Sequence, residues 1–161
     1  MIFRTVVRPD DPQRIREIVS STGFFYEHEM DIAVELCEEN LEWGDEDSGY
    51  LFLFADDEES GRTLGYACYG EIPCTRKRYD LYWIAVHADA RGKGVGKLLL
   101  REVEKAVAAR GGEIVYIETN SREQYLPTRR FYLSCGYTLA AELKDFYDNG
   151  DNKVIYTRRV T

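Results

Sequence analysis

A glycine-rich turn restricts the possible folds of this chain more than any other feature of its sequence. The turn is Arg91-Gly-Lys-Gly-Val-Gly96, and it joins an apolar run over 81–86 to a stretch with apolar residues at helical spacing. Glycines let the backbone turn so tightly that successive N–H groups can converge on an anion at the positive end of a helix. Arg91, Lys93 and Lys97 add positive charge there. The sequence therefore predicts a strand, an anion-binding loop and a helix.

The loop does not fit two common phosphate-binding motifs. A dinucleotide-binding fold requires Gly-x-Gly-x-x-Gly, but a motif that starts at Gly92 has Lys97 in place of its third glycine. A motif that starts at Gly94 has Leu99 in that place. A Walker-type loop requires Ser or Thr after its Gly-Lys pair, and Leu98 follows the pair here. Both mismatches disfavour a nucleotide-binding switch.

The remaining pattern, Arg-x-x-Gly-x-Gly from Arg91 to Gly96, resembles the acetyl-CoA loop of the GNAT acyltransferase superfamily. A second resemblance covers 125–137, where Phe131-Tyr132 is followed by Gly136-Tyr137, as in a helix-to-strand segment of that family. Both matches lie in the C-terminal half, and residues 1–75 match only in the order of their expected elements. The resemblance implies a GNAT-like fold of the α/β type (α+β mixed sheet). Its central mixed sheet would have six to seven strands, with a parallel strand-helix-strand unit at the centre and flanking helices.

Periodicity and turn residues predict the same order of elements along the chain. The expected strands cover 2–8, 50–55, 63–71, 80–86, 114–119, 137–146 and 154–159. The expected helices cover 13–21, 27–43, 95–110 and 126–135. The buried stripe of the third helix is expected to consist of Val95, Leu98, Leu99, Val103, Ala106 and Val107. Because 44% of the 161 residues are hydrophobic, the chain can bury one core, and we expect a single domain over 1–161.

Charge and hydropathy exclude several classes of function. The net charge of −8 argues against a nucleic-acid partner, which requires a basic face, and mildly favours a cationic substrate such as an amine. No apolar run approaches the roughly 18 residues of a membrane span. The first five residues also lack the apolar region of a signal peptide. We therefore expect a cytoplasmic protein without a membrane partner.

The cysteines do not indicate a metal site. Cys37, Cys68, Cys74 and Cys135 form no Cys-x-x-Cys pair, and only two histidines could join them. This spacing indicates neither a zinc site nor a disulfide framework. We therefore expect no metal and reduced, mostly buried thiols. Cys135 lies three residues after Tyr132, but no His or acid lies nearby in sequence to activate it, so we assign it to packing.

The GNAT resemblance implies an N-acetyltransferase. In that family an acetyl group passes from acetyl-CoA to a primary amine by direct attack in a ternary complex, and no metal is needed. The amine could belong to a small molecule, an amino acid, or a protein or peptide, and residues 24–43, 71–79 and 140–152 are expected to shape its pocket. The alternative is a non-catalytic acyl-CoA-binding regulatory module that has lost turnover. Since many proteins of this fold dimerise, analogy also points to a possible homodimer.

The same resemblance assigns candidate catalytic residues. Tyr132 stands where the family has the acid that protonates the departing sulfur, although a tyrosine packed in the core would look the same. Asp80 stands where the family often has a carboxylate that takes the amine proton, directly or through water. Glu71, at the end of the preceding strand, is the alternative base, and Glu118 is a weaker third candidate. A strand-end carboxylate in water or in an ion pair explains Asp80 and Glu71 equally well.

The resemblance also implies contacts to the acyl donor. Backbone groups at the end of the central strand would pair with the amide-bearing pantetheine arm as with an added strand, and one N–H could polarise the thioester carbonyl. The glycine-rich loop would hold the pyrophosphate. Asn120 and Arg129 are further candidates, for which a polar surface role is an equally good explanation. The expected contacts are Ile84, Ala85, Val86, Arg91, Gly92, Lys93, Gly94, Val95, Gly96, Lys97, Asn120 and Arg129.

Overall fold

The structure, a computed structural model, describes residues 1–161. It contains four α-helices and seven strands in one mixed sheet. The strands β1 to β7 are Ile2–Arg4, Leu51–Asp56, Thr63–Glu71, Arg78–Val86, Ile114–Asn120, Thr138–Asp148 and Asp151–Arg159. The helices α1 to α4 are Asp11–Ser21, Glu27–Ser48, Val95–Ala109 and Leu126–Ser134.

The strands follow the order β1-β2-β3-β4-β5-β7-β6 in the sheet. β4 and β5 run parallel and are connected through α3, as parallel neighbours require a crossover connection. The pairs β1–β2, β2–β3, β5–β7 and β6–β7 are antiparallel. This architecture confirms the predicted fold class: a mixed sheet of seven strands with one parallel strand-helix-strand unit and a C-terminal hairpin.

The main differences from the prediction concern the ends of β1 and α2 and the buried side of α3, where Ala106 is only partly buried; β7 also begins at Asp151 rather than at residue 154. β1 ends at Arg4 rather than at residue 8, because the chain already turns into α1 and the Arg8 N–H donates to the Asp11 carboxylate over 2.6 Å. α2 continues to Ser48 across a kink at Gly44, whose φ of 78° and ψ of 178° are open to glycine. Leu98 was expected in the buried stripe of α3, but it is 46% exposed. The buried positions of α3 are instead Val95, Leu99, Leu100, Val103, Glu104 and Val107.

The chain divides into two compact units. The first unit comprises residues 1–70 and 83–105, and the second comprises residues 71–82 and 106–161. In the first unit the apolar sides of α1 and α2 pack against the strands. Its core consists of Ile15, Ile18, Val19, Ala33, Val34, Cys37, Phe52, Phe54, Tyr66, Cys68 and Ala85.

Side-chain alternation gives the sheet of the second unit two different faces. The inner face is buried and carries Tyr79, Leu81, Val115, Ile117, Thr119, Val154 and Tyr156. The ring of Tyr132 in α4 covers this face, since its centroid lies 6.2 Å from that of Tyr156. The outer face is at least partly open to solvent and carries Asp80, Tyr116, Glu118, Lys153 and Ile155.

β6 is the last strand of the sheet, so only one of its edges is paired. All 11 of its residues are exposed, whereas all six residues of β2 are buried. Its register with β7 shifts after Leu139 and again after Leu143. Such irregularities are frequent in edge strands, where they interrupt a regular edge.

No helix combines the length and the apolar composition needed to cross a membrane. Groups of three or more His, Cys, Asp or Glu side chains that could hold a metal ion do not occur. The four cysteines are free, and three of them are buried while Cys74 is exposed. The prediction that the cysteines are mostly buried is confirmed, and their reduced state stays a prediction.

Candidate active site

The glycine-rich loop lies in the first unit, after a short 3-10 helix at Ala88–Ala90. Gly92 and Gly94 adopt φ angles of 74° and 77°, a region that residues with a side chain rarely enter. A Cβ atom at either position would meet no atom within 4 Å. The turn therefore requires these two glycines for their backbone conformation, and the space beside them is open to a ligand.

The first turn of α3 provides free hydrogen-bond donors next to this loop. α3 begins at Val95, and the Leu98 N–H donates to the Gly94 carbonyl oxygen over 3.1 Å. N–H groups before Leu98 have no partner within the helix and point towards its positive end. Lys93 and Lys97 are both exposed beside them. Backbone donors, helix dipole and two ammonium groups together suit the phosphates of an acyl-CoA.

Arg91 has a different environment from the two lysines of the loop. Its Nη2 atom donates to the carbonyl oxygen of Thr22, at the C-terminal end of α1, over 3.4 Å. The Ala88 N–H donates to the Ser21 hydroxyl over 3.0 Å. These two contacts fasten the segment before the loop to the end of α1. Arg91 thus has an internal partner, and its contact with the acyl donor stays a prediction.

The end of β4, residues 84–86, offers backbone groups to a ligand. The register between β4 and β5 ends at the pair Leu81–Ile117, so residues 84–86 are not paired with β5. On the β3 side the strands are very close, because a Cβ at Gly65 would lie 2.9 Å from the Ala85 carbonyl oxygen. One edge of this strand end is thus packed, and the other is free to pair with an added strand.

Asp80 lies on the outer face of the second unit. Its register partner on β5 is Tyr116, and Glu118 follows on the same face. Burial raises the pKa of Asp80 to about 6, with a further increase from the charge of Glu118 and a decrease from that of Lys153. A carboxylate with this pKa is ionised at neutral pH and accepts a proton more readily than an ordinary aspartate. This property suits a general base.

Lys153 of β7 completes a group of interacting side chains around Asp80. Its Nζ atom lies 2.9 Å from Oε2 of Glu118 and 3.9 Å from the ring centroid of Phe146. The Lys153 side chain is only 14% exposed, whereas that of Glu118 is 44% exposed. The ammonium group is therefore held between a carboxylate and an aromatic ring. We call Asp80, Glu118, Lys153 and Phe146 the outer-face cluster.

Glu71, the alternative base, binds a backbone N–H group outside the outer-face cluster. It is exposed at the end of β3, and its Oε1 atom accepts a hydrogen bond from the Lys77 N–H over 3.2 Å. Lys77 adopts a φ of 63°, which is unfavourable for a residue with a side chain. Glu71 therefore stabilises the loop between β3 and β4, and a catalytic role for it stays a prediction.

Tyr132 is 6% exposed and packs on the inner face of the second unit. Its ring centroid lies 6.3 Å from that of Tyr137. Burial raises the pKa of the Tyr132 phenol, so that the hydroxyl keeps its proton throughout the physiological range. Asp80 and Tyr132 are thus on opposite faces of one sheet: one is a carboxylate that can take a proton, the other a phenol that can give one.

Asn120 and Arg129 are engaged with the protein itself. The Asn120 side-chain amide donates to Oδ2 of Asp151 over 2.8 Å. Arg129 donates through Nη1 to the carbonyl oxygens of Asn120 and Arg122, each over 2.8 Å. These bonds hold the end of β5 and the segment that leads to α4. Contacts of either side chain with the acyl donor stay a prediction.

Comparisons with known proteins agree with this geometry. The model of the acetyltransferase (GNAT) family matches residues 13–137, more than half of the chain. This chain belongs to the GNAT acetyltransferase family. A GNAT-family protein from Desulfovibrio desulfuricans is 44% identical in sequence, with a TM-score of 0.96 and 99% of both chains covered. As a member of the family, the protein is an acyltransferase.

More distant GNAT structures share the fold of this GNAT protein. An aminoglycoside 6'-N-acetyltransferase, crystallised with coenzyme A, is 19% identical, with a TM-score of 0.79 and coverage of 100% of this chain and 98% of that one. The ribosomal-protein-S18-alanine N-acetyltransferase from Escherichia coli is 15% identical, with a TM-score of 0.74 and coverage of 99% and 94%. A comparison with curated protein sequences gives no match.

Two members of the outer-face cluster in this GNAT protein, Lys153 and Phe146, were not found by sequence reasoning. Lys153 pairs with Asn120 in the β5–β7 register and therefore lies two residues from the partner of Glu118. Reading this signal from the sequence requires the register of two strands that are far apart in the chain. Phe146 lies in β6 where the register with β7 is irregular, so alternation alone does not place its ring over the lysine.

Proposed function

We propose that this GNAT protein transfers the acetyl group of acetyl-CoA to a primary amine by direct attack in a ternary complex. The observation that carries the proposal is the loop at the start of α3, where Gly92 and Gly94 turn the backbone and leave the helix N-terminus open. A structural relative with coenzyme A bound supports the choice of donor. No metal is invoked, since the chemistry needs only a base, an acid and polarisation of the thioester.

The acyl donor would be held by backbone groups in the first unit. N–H groups at the start of α3 would bind its pyrophosphate, with Lys93 and Lys97 adding charge. The free edge of residues 84–86 would pair with the pantetheine amides, and one N–H there would stabilise negative charge on the thioester oxygen. In this scheme Ala85 and Val95 contribute backbone contacts only.

Asp80 would act as the base. An alkyl ammonium has a pKa of about 10, so its proton must leave before the nitrogen can attack the carbonyl carbon. The raised pKa of Asp80 supports this role, since burial makes the carboxylate a better proton acceptor. The amine nitrogen then forms the C–N bond while the proton stays on Asp80 or passes from it to water.

Tyr132 would act as the acid from the face opposite Asp80, so the thioester would have to lie beyond Leu81–Ile117, the last β4–β5 pair, where hydrogen-bonded strands no longer separate the two faces. As the tetrahedral intermediate collapses, the C–S bond breaks and the sulfur takes the proton of the Tyr132 hydroxyl. A thiol has a pKa of about 8.5, so the sulfur leaves more easily as a neutral thiol than as a thiolate. The pKa of Tyr132, raised by burial, ensures that the hydroxyl carries its proton at neutral pH. The nitrogen loses its second proton as the amide forms, and this proton passes through water to restore the Tyr132 hydroxyl. The products are an amide and the free thiol of CoA, and the proton taken by Asp80 is released to water.

The acceptor is expected to be a cationic or neutral primary amine. The net charge of −8 favours cations over anions. Two structural relatives acetylate amines: one is an aminoglycoside 6'-N-acetyltransferase, and the other is a ribosomal-protein-S18-alanine N-acetyltransferase. These acceptors define the first panel: aminoglycosides, peptides with an N-terminal alanine, free amino acids and small alkylamines.

The decisive experiment is acetyl-CoA binding by calorimetry to the wild type, Gly94→Glu and Gly61→Glu. The first substitution places a side chain and a negative charge in the loop, so binding should be lost. Gly61 has a φ of 69° and, as at Gly94, a Cβ added there would meet no atom within 4 Å, so Gly61→Glu causes the same backbone strain elsewhere. Equal binding by all three folded proteins would contradict the proposal.

Turnover separates the enzyme from a non-catalytic acyl-CoA-binding module. Tyr132→Phe keeps the ring and should bind acetyl-CoA as the wild type does, while its kcat falls by about 10²–10⁴-fold, as expected for loss of a general acid. Wild-type binding without acetylation of any amine in the panel would support the module instead. An unchanged kcat in Tyr132→Phe would remove Tyr132 from the mechanism.

Several sequence predictions remain part of this proposal. They are a single domain over 1–161, a cytoplasmic location, the absence of nucleic-acid and membrane partners, and a homodimer by analogy with the fold. Sedimentation velocity over a range of protein concentrations tests the dimer directly.

A further inference from the structure

Lys153 is a largely buried cation, with 14% of its side chain exposed, to which the proposed reaction assigns no role. We propose that Lys153, held between Glu118 and Phe146, is a positioning residue that keeps the Asp80 carboxylate ionised. The inference rests on the proposed function, in which Asp80 takes the proton of the amine. It deepens that function, because it assigns the control of the base to a residue outside the reacting groups.

The geometry places the three charged side chains in one row on the outer face. Asp80 of β4 is paired with Tyr116 of β5, and Glu118 lies two residues further along β5. Asn120, two residues beyond Glu118, is paired with Lys153 of β7. Diagonal neighbours on a sheet face are within reach of long side chains. Glu118 is therefore the central member of the row, between Asp80 and Lys153.

Two carboxylates on a half-buried face repel each other, and this repulsion favours protonation of the more buried one. Glu118 does act on Asp80 in this direction, and Lys153 acts on it in the opposite direction. The contact of 2.9 Å between Lys153 and Glu118 compensates the central charge. Without Lys153, Asp80 would lose a favourable cation and face an uncompensated Glu118, so it would hold its proton at a higher pH.

Phe146 restricts the position of the ammonium group. The Lys153 Nζ atom is 3.9 Å from the ring centroid of Phe146, a distance typical of a favourable cation–π contact. An exposed lysine moves freely in water, and its charge is screened. Because only 14% of the Lys153 side chain is exposed, its charge acts on the outer face from a fixed position.

The other charged groups near Asp80 are engaged elsewhere. Arg78, on the same face of β4, binds Glu113 over 3.1 Å. Glu71 accepts a hydrogen bond from the Lys77 N–H over 3.2 Å.

The tyrosines near Asp80 add no charge of their own to this face. Burial and nearby carboxylates raise the pKa of Tyr147 to about 12, so this phenol stays neutral. The remaining tyrosines on this face of β4 and β5 are Tyr82 and Tyr116. Glu118 and Lys153 are therefore the charges that decide the state of Asp80.

The first test measures the protonation of Asp80 without relying on activity. In protein labelled with ¹³C at the aspartate carboxyl carbons, the Asp80 signal is titrated in the wild type, Lys153→Met and Glu118→Gln. Asp80→Asn identifies the signal. The midpoint should rise by on the order of one pH unit in Lys153→Met and fall in Glu118→Gln. Midpoints that stay unchanged, or that move in the same direction, would overturn the inference.

Three control variants separate this effect from a general loss of charge or of folding. Lys144→Met removes the same charge from an exposed residue of β6, and it should shift the Asp80 midpoint much less. Lys153→Arg keeps the cation and should stay near the wild type. The double variant Glu118→Gln, Lys153→Met removes both charges and should return the midpoint towards the wild-type value. A purely structural role of Lys153 would not produce this pattern.

The second test follows the acid limb of kcat/KM against pH in the same proteins. If the midpoint rises by one unit from about 6, the ionised fraction of Asp80 falls about twofold at pH 7 and nearly tenfold at pH 5. The limb should move with the carboxyl titration in every variant. Titration shifts of the expected sign in proteins without any acetylation would support the inference and refute the proposed reaction. If the variants are active and the acid limb of kcat/KM does not move when Lys153 is replaced, the inference about Lys153 is refuted and the proposed reaction is not.

Discussion

The raised pKa that suits Asp80 for proton transfer also makes its ionised carboxylate unfavourable for the stability of the folded protein. Its pKa is raised from 3.8 to about 6 in the folded protein, mainly by burial. The folded chain therefore binds this proton more tightly than the unfolded chain does. The stabilising contribution of the protonated group is complete below pH 3.8 and lost as the pH rises through about 6. Above that range ionised Asp80 opposes folding.

Asp80→Asn should consequently abolish acetylation and stabilise the protein. At pH 8 the free energy of unfolding should rise by about 1–2 kcal/mol, after discounting for partial exposure of the carboxyl group. The gain over the wild type should shrink as the pH falls from 8 to 5. Urea denaturation at several pH values measures this difference.

Glu59→Gln provides the control, because Glu59 is an exposed carboxylate in the β2–β3 loop. Its stability should follow that of the wild type at every pH, since exposed charges contribute little. A lower stability of Asp80→Asn at pH 8 would show that the carboxylate makes a net favourable contact. The assignment of a raised pKa to Asp80 would then be wrong.

At the scale of elements, one arginine joins three parts of the first unit. Arg4 of β1 donates to both carboxylate oxygens of Asp11 in α1, over 2.7 Å and 3.0 Å, and through Nε to Asp56 of β2 over 2.9 Å. Asp11 is fully buried, and the Arg4 side chain is only 9% exposed. Burial would raise the pKa of Asp56, but the hydrogen bonds from Arg4 and Thr63 outweigh it and lower the pKa. The network is therefore weakened at acid pH.

Asp11→Ala should destabilise the protein by about 3 kcal/mol, because it leaves a buried guanidinium without its main partner. The neighbouring Asp10→Ala is the matched control. Asp10 is 58% exposed and pairs with Arg14, so its loss should cost less than about 1 kcal/mol. Urea denaturation at pH 7 measures both variants. Similar costs for the two substitutions would show that burial does not strengthen the Arg4 network.

Elements were predictable from the sequence where one period dominated a segment. β3 was predicted at its observed bounds, Thr63–Glu71, because turn residues enclose an apolar run. The extension of α2 beyond Gly44 was missed, because glycine usually ends a helix and here it joins two segments. Leu98 was placed on the wrong side of α3 because the apolar residues 98–100 follow one another, and periodicity alone does not say which of them face the core.

At the scale of the whole molecule, local and non-local parts of the site differ in how far the sequence predicts them. The loop from Arg91 to Gly96 was found directly, since its glycines, charges and helix are neighbours in the chain. Asp80, Glu118 and Lys153 come from three strands, and only the register of the sheet brings them together. A one-residue shift in any of these strands would move a side chain to the inner face. The resemblance pointed to Asp80, and Glu118 was named only as a weaker candidate base. The sequence pattern alone could not show that these two carboxylates and Lys153 lie together.

Stability should also vary strongly across the molecule. All residues of β2 are buried and both its edges are paired, whereas β6 is exposed along its whole length and paired on one edge. Amides of fully buried strands exchange mainly through global unfolding, and those of edge strands through local opening. In hydrogen-exchange mass spectrometry, peptides from Leu51–Asp56 should thus exchange by orders of magnitude more slowly than peptides from Thr138–Asp148.

The same hydrogen-exchange measurement also tests whether a second copy of the chain covers the free edge of β6 in solution. If the protein is monomeric, the exchange of β6 amides should be fast and independent of protein concentration. If a second copy pairs with this edge, protection should appear in β6 and decline on dilution, because association depends on concentration. Protection of β6 that equals that of β2 at every concentration would contradict the expected gradient. It would mean that the hairpin of β6 and β7 opens only when the whole protein unfolds, despite the exposure of its outer strand.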